Sequence, residues 1–177
     1  MSTLRDSFHR LPLSVQESLR ERFFPKLLPE GETAPEWHLQ SWDNSWHRQG
    51  KHWSVMVFYV QDGGAVDREQ LQAFQQQLPE FERLKVKVFG FNIAEAESHE
   101  AFAKEAGIDF PLLTDRGGSV ARQFRACLQL PLRPVFLRTV YLVNPERKLR
   151  LGNRGTPSVE AILRSVVALQ QVAKAGM

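Results

Sequence analysis

The 177-residue chain holds one cysteine, Cys127. No intramolecular disulfide can form, and the paired thiols of a C-x-x-C redox site or a zinc ribbon are missing. Long apolar runs are also absent. The longest, Trp53 to Val60, is far too short to span a bilayer. The opening residues MSTLRDSFHR carry no apolar run behind a basic start, so neither secretion nor membrane insertion is expected, and a cytoplasmic location is. Internal repeats and low-complexity tracts are lacking as well. What is present, 42% apolar and 24% charged residues, fits one compact domain with its own core.

The formal net charge is only +3, but it is unevenly distributed. Arg116 to Arg154 contains eight arginines and Lys148 against the single acid Glu146. Such a stretch can face an anionic ligand, a nucleic acid or an acidic partner. The simpler reading folds it as a solvated face against Glu95, Glu97, Glu100, Glu105 and Asp109, because charge runs seldom identify a ligand by themselves.

Residues 1 to 29 read as an appendage, with a short helix around Ser14 to Phe23 ended by Pro25 and Pro29. All four tryptophans, with His38, His47 and His52, fall between Trp37 and Trp53. Their spacing follows no single period, which predicts an irregular edge region or hairpin. WSVMVFYV from Trp53 reads as a strand buried on both faces. Leu71, Phe74, Leu78 and Phe81 line one helix face, with Pro79 as a break, and Lys85 to Asn92 forms a second strand. Glu95 to Ala106 is helical and ends at Gly107; Phe110 to Leu113 is a third strand, followed by a helix from Ser119 to Phe124. Thr139 to Val143, a turn at Asn144-Pro145 and Lys148 to Leu151 make a hairpin. The last helix takes Thr156 as its cap and Pro157 as its first residue, with Val159, Ile162, Leu163, Val166 and Leu169 as its apolar stripe. This order describes an α/β domain with a mixed sheet.

Four segments in this order carry a resemblance. Gly31 to Leu39 reads G-x-x-A-P-x-W-x-L, and Phe58-Tyr59 ends the buried strand. Ser98-His99-Glu100-Ala101-Phe102 is followed by Phe110-Pro111-Leu112-Leu113-Thr114-Asp115. Arg138 to Pro145 reads RTVYLVNP. Laid together, from Gly31 to Leu169, they resemble the peroxiredoxins of the alkyl-hydroperoxide-reductase and bacterioferritin-comigratory type. The resemblance implies a thioredoxin-like mixed sheet flanked by helices over residues 30 to 177, behind an N-terminal helical extension over 1 to 29.

The resemblance fails at the reactive segment. The family carries P-x-x-x-T-x-x-C after the first buried strand, and its cysteine attacks peroxide. Here the stretch is Val60-Gln61-Asp62-Gly63-Gly64-Ala65-Val66-Asp67. Val60 stands for the proline, Gly64 for the threonine and Asp67 for the cysteine, and of that set only Arg138 remains. Peroxide reduction needs a soft thiolate that becomes a sulfenic acid, which a carboxylate cannot do. Ordinary peroxidase activity is therefore expected to be lost.

Asp67 has a local explanation as the N-cap of the following helix, since Asp67-Arg68-Glu69-Gln70 has capping-box form. A second reading pairs it with Arg138 as carboxylate and guanidinium. Cys127, flanked by Ala126 and Leu128, reads as a small buried apolar residue; Arg122 and Arg125 nearby would make it reactive only if both pointed at it. His38, His47 and His52 show no metal-ligand spacing, and no metal or cofactor is expected. Gly117-Gly118 before Ser119 is a weak candidate for an anion-binding turn.

Three functions follow. The preferred one is a fold retained as a binding or interaction module, with a small anion as ligand beside Arg138 and, by resemblance, a homodimer. The second is a thiol-dependent peroxidase or oxidoreductase using Cys127 with a small thiol such as glutathione. The third, ranked last, is nucleic-acid binding through the Arg116 to Arg154 region.

Overall fold

The computed structural model describes residues 12, 14–15, 25–128, 130 and 133–175. The helix expected from Ser14 to Phe23 lies largely outside these, although Ser14 and Val15 are helical. Among the described residues the elements run β1 (His38–Gln40), β2 (Trp46–Arg48), β3 (Trp53–Phe58), α1 (Ala65–Gln76), α2 (Leu78–Arg83), β4 (Val86–Asn92), α3 (Ala96–Ala106) and β5 (Leu112–Thr114). A short 3-10 turn (Arg116–Gly118) leads to α4 (Ser119–Gln123), β6 (Cys127–Leu128), β7 (Val135–Phe136), β8 (Thr139–Val143), β9 (Leu149–Arg154) and α5 (Val159–Ala175).

The central sheet has the order β5-β4-β3-β8-β9. The β3–β4 and β4–β5 pairs are parallel, whereas β8 is antiparallel to both β3 and β9. Alternation along each strand sends two sets of side chains to opposite faces. Val55, Val57, Val88, Val140 and Leu142 meet Leu71, Phe74, Phe81, Phe102, Ile162 and Val166 on one face. On the other, Met56, Phe58, Phe89, Phe91, Tyr141 and Val143 pack with Trp37, Val120 and Phe124. Both faces are covered, which is why β3 reads as an unbroken apolar run.

The edge region is a hairpin. β1 pairs antiparallel with β2, and a bridge from Ser41 to Leu113 ties it to the β5 edge. Trp37 is buried edge-on against Phe89 and Phe91, with ring centroids 5.2 and 5.1 Å away, while Trp46 is exposed. At the other end of the described chain, Leu27 packs into the Trp37 side of the core and the Leu28 amide donates to the Tyr141 hydroxyl at 3.0 Å.

One local expectation is corrected. The last helix starts at Val159 rather than Pro157, and Ser158, not Thr156, serves its first turn: its Oγ accepts from the Ala161 amide at 3.3 Å. Between α4 and β8, the strands β6 and β7 form a short antiparallel pair. Two-residue strands are too short to leave a period in the sequence.

Candidate functional site

The register of the sheet builds the site. Phe58 is paired with Thr139, so the residue before β8, Arg138, lies beside the segment that leaves β3. The Arg138 carbonyl is fixed by the Gly155 amide at 2.8 Å. The chain turns through Gly63, at φ +75°, and enters α1 with Gly64 as its N-cap; the Gly64 carbonyl accepts the Arg68 amide at 2.8 Å. Asp67 thus sits in the first turn of α1, where the positive end of the helix favours a carboxylate.

The capping-box expectation is not met. α1 begins two residues before Asp67, and the carboxylate turns back toward β3 instead of serving the helix's own amides. Its Oδ1 accepts the Val60 amide at 3.2 Å, and its Oδ2 lies 3.4 Å from the Gln61 amide. Arg138 closes the arrangement with a bidentate pair, Nε to Oδ1 at 2.8 Å and Nη2 to Oδ2 at 3.1 Å. The Asp67 side chain is fully buried, and that of Arg138 is 31% exposed. The alternative raised by the sequence, a carboxylate facing a guanidinium, is the observed geometry.

Gly64 is coupled to this pair. A Cβ built on it would stand 2.9 Å from Asp67 Oδ2, an atom held by Arg138 and unable to swing aside. Its φ of −63° and ψ of 131° suit any residue, so the need for glycine here is steric.

Beside the pair lies a polar network that sequence reasoning missed. Asp62 Oδ1 accepts from the Tyr59 hydroxyl at 2.8 Å and from Asn92 Nδ2 at 3.2 Å; Oδ2 accepts from Ser98 Oγ at 2.6 Å. His99 Nδ1 lies 3.0 Å from Oδ2, and because a carboxylate only accepts, that nitrogen carries the proton. Burial opposes ionisation of Asp62, but the hydrogen bond and charge of His99, with Ser98 and Tyr59, hold its carboxyl below the usual range. Burial and the same carboxylate push the Tyr59 hydroxyl well up. Gly90 makes room for the ring: a Cβ there would meet Leu112 at 2.6 Å and Tyr59 at 3.2 Å. The Ser98-His99 pair, noted only as part of a family segment, was the available signal. A cleft of about 290 Å³ opens here, lined by Val60, Gln61, Asp62, Ser98, Arg133 and Phe136 among others. Asp67 and Arg138 do not line it, so the anion pocket expected beside Arg138 is filled by the protein's own carboxylate.

Cys127 is 3% exposed, on the far side of the sheet from α1 and α3. Burial pushes its thiol up to about 11, with Arg122 lowering and Asp115 raising it by less. At neutral pH the thiolate is then on the order of one molecule in ten thousand.

The histidines stay apart in role. His38 lies tilted against Trp46 with ring centroids 4.7 Å apart, and His47 Nε2 lies 2.6 Å from Ser45 Oγ. No group of three or more His, Cys, Asp or Glu placed to hold a metal occurs among the described residues. The Gly117-Gly118 turn already holds an anion of its own, since Asp115 accepts the Val120 and Ala121 amides at 3.1 and 2.8 Å.

The basic stretch is largely engaged internally. Arg122 donates to the Gly117 carbonyl at 2.6 Å, Arg154 to the carbonyls of Pro25 and Arg125, and Arg147 to that of Ala34. Of the acids expected to face it, Glu95 pairs with Arg116, but Glu100 and Glu105 pair with Lys104 and Arg68, and Asp109 accepts from Gln75. The aromatic residues of that region, Phe124, Phe136 and Tyr141, are buried and offer no stacking surface for bases.

The mixed five-stranded sheet with helices on both faces makes this a thioredoxin-like α/β protein of peroxiredoxin type. Its backbone matches peroxidoxin BcpB from Mycobacterium tuberculosis with a TM-score of 0.74 at 21% identity, over 80% of this chain and 97% of the other. It matches the reduced 2-Cys peroxiredoxin of Plasmodium vivax with a TM-score of 0.71 at 23% identity, over 82% and 98%. The chain belongs to the AhpC/TSA family, whose model matches residues 31–151. Among curated relatives, mitochondrial peroxiredoxin PRX1 of Saccharomyces cerevisiae is 28% identical over 148 residues, 72% of this chain and 56% of that protein. A peroxiredoxin of Treponema denticola is 31% identical over 128 residues, 67% and 61% respectively. The chain thus spans a little over half the length of these relatives. No helix among the described residues is long and apolar enough to cross a membrane.

Proposed function

We propose that this chain is a peroxiredoxin-family protein in which thiol-peroxidase chemistry has given way to a fixed ion pair, and that it acts as a binding or interaction module. The observation that carries the reading is the bidentate Asp67–Arg138 contact: a buried carboxylate takes the guanidinium and the amides at the end of β3, where the family resemblance puts an attacking thiolate. A carboxylate there binds protons and cations but transfers no oxygen. Val60 and Gly64, at the places of the proline and threonine, belong to the same reading. So do a homodimer and a cytoplasmic location, which rest on the resemblance and on the single cysteine.

The alternative, thiol chemistry at Cys127, is disfavoured by its burial and raised pKa. The test is consumption of hydrogen peroxide and an alkyl hydroperoxide with dithiothreitol or glutathione, for the intact chain, Cys127→Ser and Asp67→Cys. No turnover above the blank is expected for the first two, and a sulfenic acid trappable by dimedone is expected at residue 67 in the third. Turnover by the intact chain that vanishes in Cys127→Ser would overturn the proposal.

A further inference from the structure

His47 and His52 have no ligand geometry in common, but they share a neighbour. Their rings lie against that of Phe89 with centroids 5.6 and 6.3 Å away, the first edge-on and the second tilted. With Trp37, they leave Phe89 2% exposed. His47 belongs to β2, whose only strand partner among the described residues is β1, and His52 ends the connection from β2 to β3. This arm is tied to the central sheet where Gln49 Oε1 accepts from Ser54 Oγ at 3.0 Å. A cleft of about 550 Å³ opens beside the two rings, with Lys87, Val88, Phe89 and Phe110 also in its lining.

Charged groups of both signs surround the imidazoles, but the one that acts on both rings is a cation, Lys87 of β4. Asp43 reaches His47 only through Ser45. The Ser45 hydroxyl gives its one proton to Asp43 Oδ1 at 2.5 Å, so in the 2.6 Å contact with His47 the Nε2 nitrogen donates, which leaves Nδ1 to take up a second proton. Glu82 of α2, Lys85 and Asp109 line the same cleft, and Asp109 is held by Gln75 Nε2 at 2.7 Å. Arg48 and Lys51, exposed beside the two histidines in the chain, add charge of the sign of Lys87.

Burial is the largest influence on each ring and lowers its pKa. At His47, Asp43 raises it by less and Lys87 lowers it; at His52, Lys87 adds to burial. The covered arrangement therefore takes up protons less readily than one in which the rings reach water. Its advantage is full above the ordinary histidine value of 6.5 and shrinks as pH falls below it.

We propose that β2, with the connection through His52, is an acid-released flap over Phe89: with both imidazoles neutral it lies closed, and with both protonated their charges repel Lys87 and one another, the flap lifts, and an aromatic face is uncovered beside the cleft. The device is separate from the Asp67–Arg138 pair and does not depend on what that pair does.

Hydrogen–deuterium exchange of the full chain, read by mass spectrometry at about pH 7.5 and about pH 5 with exchange times scaled for the intrinsic rate, measures the opening. Between the two, protection of residues 46–52 should fall severalfold, while that of β3 and β8 stays unchanged. His47→Gln with His52→Gln keeps neutral polar side chains at both positions and should hold the flap equally closed at either pH. Lys87→Gln removes the cation common to both rings and should shrink the loss. Protection of 46–52 that ignores pH, a loss of equal size in the double histidine variant, or a loss shared by β3 and β8 would overturn the proposal.

Discussion

Removing either partner of the Asp67–Arg138 pair should have unequal effects. Arg138→Ala strands a fully buried carboxylate with only the backbone amides of Val60 and Gln61 for company. Stranding one member of a buried pair costs about 3–5 kcal/mol. The 31% exposure of Arg138 admits water and screens the pair, which lowers the expected loss to roughly 2–4 kcal/mol. Asp67→Ala leaves instead a guanidinium that can turn to solvent, and should cost about 1–2 kcal/mol. The double variant should be less destabilised than the sum of the singles by about 1–2 kcal/mol. Urea unfolding of the four proteins measures all three quantities, and at about 2–4 °C per kcal/mol for a chain of this size the arginine variant should melt roughly 5–15 °C lower. A simple helix cap predicts otherwise: about 1 kcal/mol for Asp67→Ala and no dependence on Arg138. Additivity within about 0.5 kcal/mol would refute the pairing as the reason for this aspartate.

Three further outcomes are expected. Gly64→Ala should destabilise the chain by about 1–2 kcal/mol, chiefly through crowding of Asp67 Oδ2, and should cost clearly less in an Asp67→Ala background, where only the 3.2 Å approach to Gln61 Cγ remains; a melting series with equal costs in both backgrounds contradicts the steric account. Native Cys127 should resist Ellman's reagent at pH 7.5 and react fully in guanidinium; stoichiometric labelling of the folded chain would mean that the thiol is accessible after all. Because Asp62 titrates below its ordinary value of 3.8 in the folded state, the unfolded chain takes up its proton first, so the stability this group contributes is present above that pH and lost as pH falls below it. Asp62→Asn should therefore flatten the acid limb of the stability profile, and an unchanged slope between about pH 4 and 2 would show that the network does not link folding to pH.

The strands and helices that bury a full face were legible from the sequence. Leu71, Phe74, Ile162 and Val166 repeat at the helix period because one side of each helix meets the core, and β3 reads as an apolar run because both of its faces do. Where a contact is made between elements distant in sequence, local pattern misleads. Asp67 has every local mark of a cap, and only the pairing of Phe58 with Thr139 shows that Arg138 stands close enough to take it. The Asp62, Ser98 and His99 network was invisible for the same reason, since its members come from the end of β3 and from α3. The Arg116 to Arg154 stretch looked like a patch because charge along a sequence carries no information about direction; Arg138, Arg147 and Arg154 each turn to a different neighbour.

The 2.9 Å between a Cβ at position 64 and Asp67 Oδ2 also makes these two positions a single unit for any redesign of the segment. A side chain at 64 and a carboxylate at 67 disfavour one another, so the penalty for a threonine at 64 should depend on what stands at 67. A site rebuilt with both a threonine and a cysteine is reached at lower cost by changing residue 67 first.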